Sequence, residues 1–128
     1  MNLEDKEIFE VMTPLPVTID SSTSLQTASH LMRRYDIRHL PVLEGEKLVG
    51  LIIERDVEIV LRFKLLDAQT EPVRSLMSKV PLIVSFDAKV TEVIEEMIRT
   101  KGDCAVVFKN NKVAGIFTLI DILRLLRA

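Results

Sequence analysis

Nothing constrains this chain more than its own internal repetition. Displaced by 65 positions, without a gap, the sequence places Met12 on Met77, Pro16 on Pro81, Met32 on Met97, Arg34 on Arg99 and Val42 on Val107. The same shift places Lys47 on Lys112, Gly50 on Gly115, Asp56 on Asp121, Leu61 on Leu126 and Arg62 on Arg127, ten identities in the 57 pairs from Glu7/Pro72 to Phe63/Ala128. Between them apolar character is mostly kept, as in Val17/Leu82, Ile19/Val84, Leu25/Val90, Val49/Ala114 and Leu51/Ile116. Burial and turn chemistry therefore set the register, and two like units on one short chain predict a pseudo-twofold pair.

Size and charge narrow what such a pair can do. With 128 residues, 48% of them hydrophobic and 28% charged, the chain can bury one ordinary core, so one compact globule without a separate effector domain is expected. A net charge of −2 supplies no field for holding nucleic acid or an anionic membrane surface. The single cysteine, Cys104, excludes an internal disulfide and a cysteine-built metal site. The stretch Met1 to Asp5 is acidic and lacks the basic-then-apolar order of a signal peptide. No uninterrupted apolar run approaches the length of about 18 that spans a bilayer. A soluble, cytoplasmic protein is expected.

Each unit reads as strand, helix, two strands, helix. In the first, Val17 to Ile19 is a brief strand, Asp20-Ser21-Ser22-Thr23-Ser24 offers oxygens to a new helix, and Leu25, Ala28, Met32 and Tyr35 recur near helical spacing. In the second, Asp87 is the expected cap, and Val90, Val93, Ile94, Met97 and Ile98 form a stripe buried on one face. Leu40 to Leu43 and Cys104 to Phe108 are apolar runs that stop at Glu44-Gly45-Glu46 and Lys109-Asn110-Asn111 before apolar runs resume at Leu48 and Val113. That pattern predicts hairpins, with positive φ available at Gly45 and Asn110. The closing helices are apolar over much of their circumference: Val57, Ile59, Val60, Leu61, Phe63, Leu65 and Leu66 in the first, Ile120, Ile122, Leu123, Leu125 and Leu126 in the second. Part of that surface is expected to be buried in a homodimer. Asp67 to Pro72 is the joint, with Thr70-Glu71-Pro72 ending the helix.

The most informative short pattern is Gly115-Ile116-Phe117-Thr118-Leu119-Ile120-Asp121, at a strand-to-helix junction. Gly115 permits close backbone approach, Thr118 ends the strand and Asp121 falls in the helix's first turn. Taken alone, Thr-x-x-Asp before an apolar run is a capping box. The matching stretch Gly50 to Asp56 has Ile53 in place of Thr118 yet keeps its acid, which capping by itself does not explain.

Val11-Met12-Thr13 before Pro16-Val17-Thr18, then Leu31-Met32, Ile37-Arg38-His39-Leu40-Pro41-Val42, Lys47-Leu48-Val49-Gly50 and Arg55-Asp56-Val57, with their echoes, resemble the CBS domain family, named after cystathionine β-synthase. The resemblance covers about Ile8 to Arg127 as a tandem pair. It implies an α+β fold of two β-α-β-β-α repeats, residues 7–66 and 72–128, packed sheet to sheet about a pseudo-twofold axis. It also implies two clefts between the repeats able to hold AMP, ADP, ATP or S-adenosylmethionine.

Residue by residue, the family pattern makes the first cleft Thr118, Leu119, Ile120 and Asp121 with Met12, Val17, Ile37, Arg38 and His39. The carboxylate would accept from the ribose hydroxyls, the cation and helix N-terminus would suit phosphate, and the apolar residues the purine faces. The second cleft would pair Ile53 and Asp56 with Met77, Leu82, Gly102, Asp103 and Cys104. There a hydroxyl has become Ile53 and a carboxylate, Asp103, stands where Arg38 does, so like-charge repulsion is expected to leave it weaker, empty or limited to an uncharged adenosine moiety.

His30 and His39 have no cysteine or carboxylate at ligand spacing, so no metal is expected. No phosphate-cradling glycine loop, zinc motif or nucleophile with a base is present, so no catalysis is expected and no cofactor is required. The resemblance implies a stand-alone regulatory module that binds an adenine nucleotide and signals to a separate regulated protein. Its rivals are a ligand-free dimerisation scaffold and an S-adenosylmethionine-binding module.

Overall fold

The computed structural model describes residues 3–15 and 17–127. Pro16 of the strand motif and Ala128 at the end of the repeat register therefore lie outside the described residues. In chain order the elements are α1 (Ile8–Val11), β1 (Thr13–Pro14), β2 (Ile19–Asp20), α2 (Leu25–Tyr35), β3 (His39–Glu44), β4 (Lys47–Ile53), α3 (Glu54–Phe63), β5 (Ile83–Ser85), α4 (Val90–Thr100), β6 (Cys104–Lys109), β7 (Lys112–Thr118) and α5 (Leu119–Arg127). The run β2-α2-β3-β4-α3 and the run β5-α4-β6-β7-α5 carry the same order, as the repeat predicts.

Two compact units form, but they are partitioned differently from the sequence repeats 7–66 and 72–128. One is Pro16–Lys79; the other joins Met1–Leu15 to Val80–Ala128. The segment ahead of each repeat is thus built into the other repeat's unit. β1 pairs antiparallel with β7, Thr13 facing Ile116 and Pro14 facing Gly115. In the same way the Val73 N–H donates to Thr23 O at 2.7 Å, and Ser78 bridges Leu51.

In Pro16–Lys79 the sheet order is β2-β3-β4, with β2 parallel to β3 and β3 antiparallel to β4. Gly45 turns the hairpin at φ +62°. Ser24 caps α2, accepting from the Thr27 N–H at 3.1 Å. Leu25, Ala28, Met32, Leu40, Val42, Leu51, Ile52 and Val57 are buried in this unit.

In the other unit the order is β1-β7-β6-β5, and Asn110 and Asn111 turn the hairpin, both at positive φ. Its core joins Ile8, Val90, Val93, Met97, Ala105, Val107 and Phe117. Gly115 matters here: a Cβ on it would stand 2.7 Å from Thr13 O and 2.7 Å from Met12 Sδ. Gly50 meets Met77 and Ser78 in the same way. The two matched Met–Gly pairs let each lead segment lie flat on its strand.

Several local expectations are corrected. The first strand is Ile19–Asp20, so Val17 precedes it. Lys89, not Asp87, is the residue before α4, and Asp87 accepts from the Ser85 hydroxyl at 2.7 Å. Tyr35 and Ile98 lie outside the buried stripes, on solvent-exposed faces of α2 and α4. α3 ends at Phe63 with Lys64 in the left-handed conformation, so Leu65 and Leu66 are beyond it and Thr70-Glu71-Pro72 does not terminate it. No helix among the described residues is long and apolar enough to cross a membrane.

Candidate functional site

The Thr118–Asp121 junction sits in the unit that contains Met1–Leu15. β7 ends at Thr118 and α5 starts at Leu119, so Asp121 occupies the first turn. Its Oδ2 accepts from the Thr118 N–H at 2.9 Å, and the Asp121 N–H reaches Thr118 Oγ1 at 3.4 Å. That reciprocal pair is a capping box. A second donor was not foreseen: the Thr13 hydroxyl, from β1, donates to Asp121 Oδ1 at 2.7 Å. Arg124 Nη1 lies 3.6 Å from the same oxygen. The carboxylate is only 5% exposed, and a buried anion is tolerable here because both oxygens receive donors. The Thr118 hydroxyl also lies 3.4 Å from Oδ2, which therefore has two neighbouring donors, whereas Oδ1 has one hydrogen bond, from Thr13, and keeps an acceptor position beside Arg124.

The rest of this unit's predicted residues gather nearby through the backbone. Cys104 pairs with Thr118 across the β6–β7 ladder, and the Leu119 N–H donates to Asp103 O at 3.2 Å. Met12 packs against Gly115. Leu119 and Ile120 are exposed, Asp103 is exposed, and Leu82 is half-buried against the core. Cys104 is buried, and burial, followed by the charge and hydrogen bond of Asp103, pushes its thiol up to about 12.

In Pro16–Lys79 the matching junction is differently furnished. Ile53 precedes α3 and makes no side-chain cap bond. The Glu54 N–H donates to Arg38 O at 2.9 Å, as the Leu119 N–H does to Asp103 O, so this main-chain bond is common to both junctions and the side-chain cap belongs to one. Asp56 is half-buried. Ser78, the counterpart of Thr13, turns its hydroxyl to Leu51 O at 3.5 Å rather than to the acid. His39 pairs with Ile53 in the β3–β4 ladder, so Arg38 and His39 lie beside Ile53 and Asp56. Arg38 is exposed, Val17 is half-buried and Ile37 is buried at 7% exposure.

Each unit therefore brings together one acid, one strand-to-helix junction and one residue pair at the start of the central strand. Thr13 is the participant that sequence reasoning missed. A hydroxyl recurs at the matched position, Ser78, but that recurrence does not by itself say that Thr13 reaches Asp121. Among the described residues no group of three or more His, Cys, Asp or Glu side chains could hold a metal ion.

The CBS domain family matches residues 7–61 and 73–128. The chain belongs to the CBS domain family. A curated relative, inosine-5′-monophosphate dehydrogenase of Aquifex aeolicus, is 31% identical over 112 residues, covering 85% of this chain and 22% of the relative. This CBS pair thus spans about a fifth of that enzyme's length. Among solved structures, the CBS domain pair of protein MJ0100 in complex with 5′-methylthioadenosine and S-adenosyl-L-methionine has a TM-score of 0.77 at 24% identity, covering 95% of this chain and 96% of that one. CBSX2 in complex with AMP has a TM-score of 0.71 at 23% identity, covering 94% and 96%. These likenesses establish the fold, a tandem pair of CBS repeats.

Proposed function

We propose that this CBS pair is a regulatory module that binds an adenosine-containing ligand (AMP, ADP or ATP) and, as a homodimer, signals its presence to a separate regulated protein. The observation that carries the reading is the Asp121 carboxylate, held by the Thr118 N–H and the Thr13 hydroxyl with an acceptor position left on Oδ1. A ribose hydroxyl is a matching donor for that position. Within Pro16–Lys79, exposed Arg38 next to His39 is basic chemistry suited to phosphate. The complexes of MJ0100 with S-adenosyl-L-methionine and of CBSX2 with AMP support the ligand class, because the same fold holds adenosine compounds there. Asp56 lacks a hydroxyl neighbour, Ile53 standing at the position of Thr118, and is the weaker acid for this purpose.

One observation favours a second reading, a ligand-free scaffold: Asp121 already completes a capping box and is nearly closed to solvent. Thermal melting with AMP, ADP, ATP and S-adenosylmethionine, with and without magnesium, separates the two. A bound nucleotide at a hundred times its Kd stabilises the fold by about 2.7 kcal/mol, and Asp121→Asn should remove most of the shift. A melting temperature unmoved by every compound at millimolar concentration selects the scaffold.

A further inference from the structure

One turn past Asp121, Arg124 folds its guanidinium back towards the acid, with Nη1 3.6 Å from Oδ1. That is ion-pair distance but too long for a hydrogen bond. The second acceptor position of Oδ1 is therefore open beside a cation. The Arg124 side chain is 69% exposed and makes no other hydrogen bond or ion pair among the described residues, so its donors are uncommitted.

Support of the helix does not account for this residue. An exposed pair one turn apart adds little to stability. The 65-residue shift keeps the acid as Asp56 but puts Ile59 in place of Arg124 and Ile53 in place of Thr118, and Pro16–Lys79 builds α3 without either polar group. Cation and capping hydroxyl thus occur together, at Asp121 and not at Asp56.

The space between Oδ1 and Nη1 suits an alcohol. A hydroxyl donates one hydrogen bond and accepts others. With the two atoms 3.6 Å apart, a single oxygen can stand about 2.7 Å from the carboxylate and about 2.9 Å from the guanidinium. It would donate to the first and accept from the second, leaving the Thr13 hydroxyl on the other lone pair of Oδ1. A phosphate oxygen in that place would meet Asp121 as a like charge, and an ether or a methylene would offer the carboxylate no donor.

We propose that Arg124 is a specificity-determining residue: together with Asp121 Oδ1 it reads one hydroxyl of the ligand's ribose and sets a preference for ribonucleotides over deoxyribonucleotides. This rests on the adenosine-ligand reading above and adds to it the residue that recognises the sugar.

Calorimetry of the full chain with AMP, 2′-deoxy-AMP and 3′-deoxy-AMP, on wild type and Arg124→Ala, tests it. One of the two deoxynucleotides should bind wild type about tenfold more weakly than AMP, and Arg124→Ala should weaken AMP by about tenfold while moving that deoxynucleotide by less than about twofold. Such non-additivity between a ligand hydroxyl and a guanidinium is not produced by an ion pair that only steadies its helix. Arg124→Lys, which keeps the charge and a donor, should recover part of the loss, and the unliganded Arg124→Ala chain should melt within about 2 °C of wild type. If wild type holds AMP and both deoxynucleotides equally, or if Arg124→Ala weakens every nucleotide alike or none, Arg124 does not touch the sugar and the inference falls while the nucleotide reading stands. If no nucleotide binds wild type at millimolar concentration, both fall.

Discussion

Asp121 and Asp56 stand at matched positions, and the structure gives them unequal energetic weight. Replacing Asp121 with alanine removes the acceptor for the Thr118 N–H, a capping loss of about 1 kcal/mol. It also removes the acceptor for the Thr13 hydroxyl at 2.7 Å, and a hydrogen bond to a charged group contributes about 2 kcal/mol. A total of about 3 kcal/mol follows, or a fall in Tm of about 12 °C at roughly 4 °C per kcal/mol for a chain of this size. Asp56→Ala loses only a favourable interaction with its helix N-terminus, about 0.5 kcal/mol. Thr13→Val keeps the shape and deletes the hydroxyl, leaving a buried carboxylate one donor short at a cost of about 2 kcal/mol. Because Thr13 and Asp121 share one bond, the double variant should be less destabilised than the sum, with a coupling of about 1.5–2 kcal/mol. Thr13→Ser should restore most of the loss. Urea denaturation of the four variants and the double mutant supplies every term. Equal losses at Asp121 and Asp56, or a Thr13–Asp121 coupling below about 0.5 kcal/mol, would refute the reasoning.

Two further outcomes follow from packing and ionisation. Gly115→Ala should cost about 1–3 kcal/mol in urea midpoints, because its Cβ would press on the carbonyl of Thr13 at 2.7 Å and a strand backbone yields less readily than a side-chain tip; Gly45→Ala, with open space around it, should cost only the left-handed strain of about 1–2 kcal/mol. Cys104 titrates higher folded than unfolded, about 12 against 9.0, so the neutral thiol favours folding fully below pH 9 and that contribution fades as pH rises from 9 towards 12. At pH 8 the native chain should be inert to a disulfide reagent such as dithiobis-nitrobenzoate and should react stoichiometrically once unfolded.

The parts of the fold that were legible in the sequence are those dictated by period and turn chemistry. The hairpins at Gly45 and Asn110, a helix cap drawn from the cluster Asp20 to Ser24, which the structure assigns to Ser24, and the burial of Val90, Val93 and Met97 all follow from local rules. What was not legible depended on competition between elements. Asp87 fits a cap by type, but the Ser85 hydroxyl claims it. Leu65 and Leu66 continue an apolar pattern, but the left-handed turn at Lys64 has already ended α3. Tyr35 and Ile98 sit at the margins of their stripes, where a small rotation of the helix decides between core and water.

The candidate site divides in the same way. The difference in capping between the two junctions was readable from Thr118 against Ile53, since a hydroxyl or its lack at a junction is a property of one residue. The Thr13 contact was not readable, because it depends on the lead segment being built into the unit of the later repeat, 108 residues away in sequence. That exchange has a mechanical consequence. The acid proposed to receive a ribose also anchors β1, so a ligand that draws Asp121 Oδ1 towards itself must either share it with the Thr13 hydroxyl or release that hydroxyl. Sharing would stiffen the lead segment, and release would loosen it from β7. Amide hydrogen exchange at Leu15, whose N–H donates to Ala114 O at 3.3 Å, reports which occurs. Two lone pairs on one oxygen favour sharing, so the Leu15 amide should exchange more slowly when nucleotide is bound, and faster exchange would mean that ligand and lead segment compete for one carboxylate.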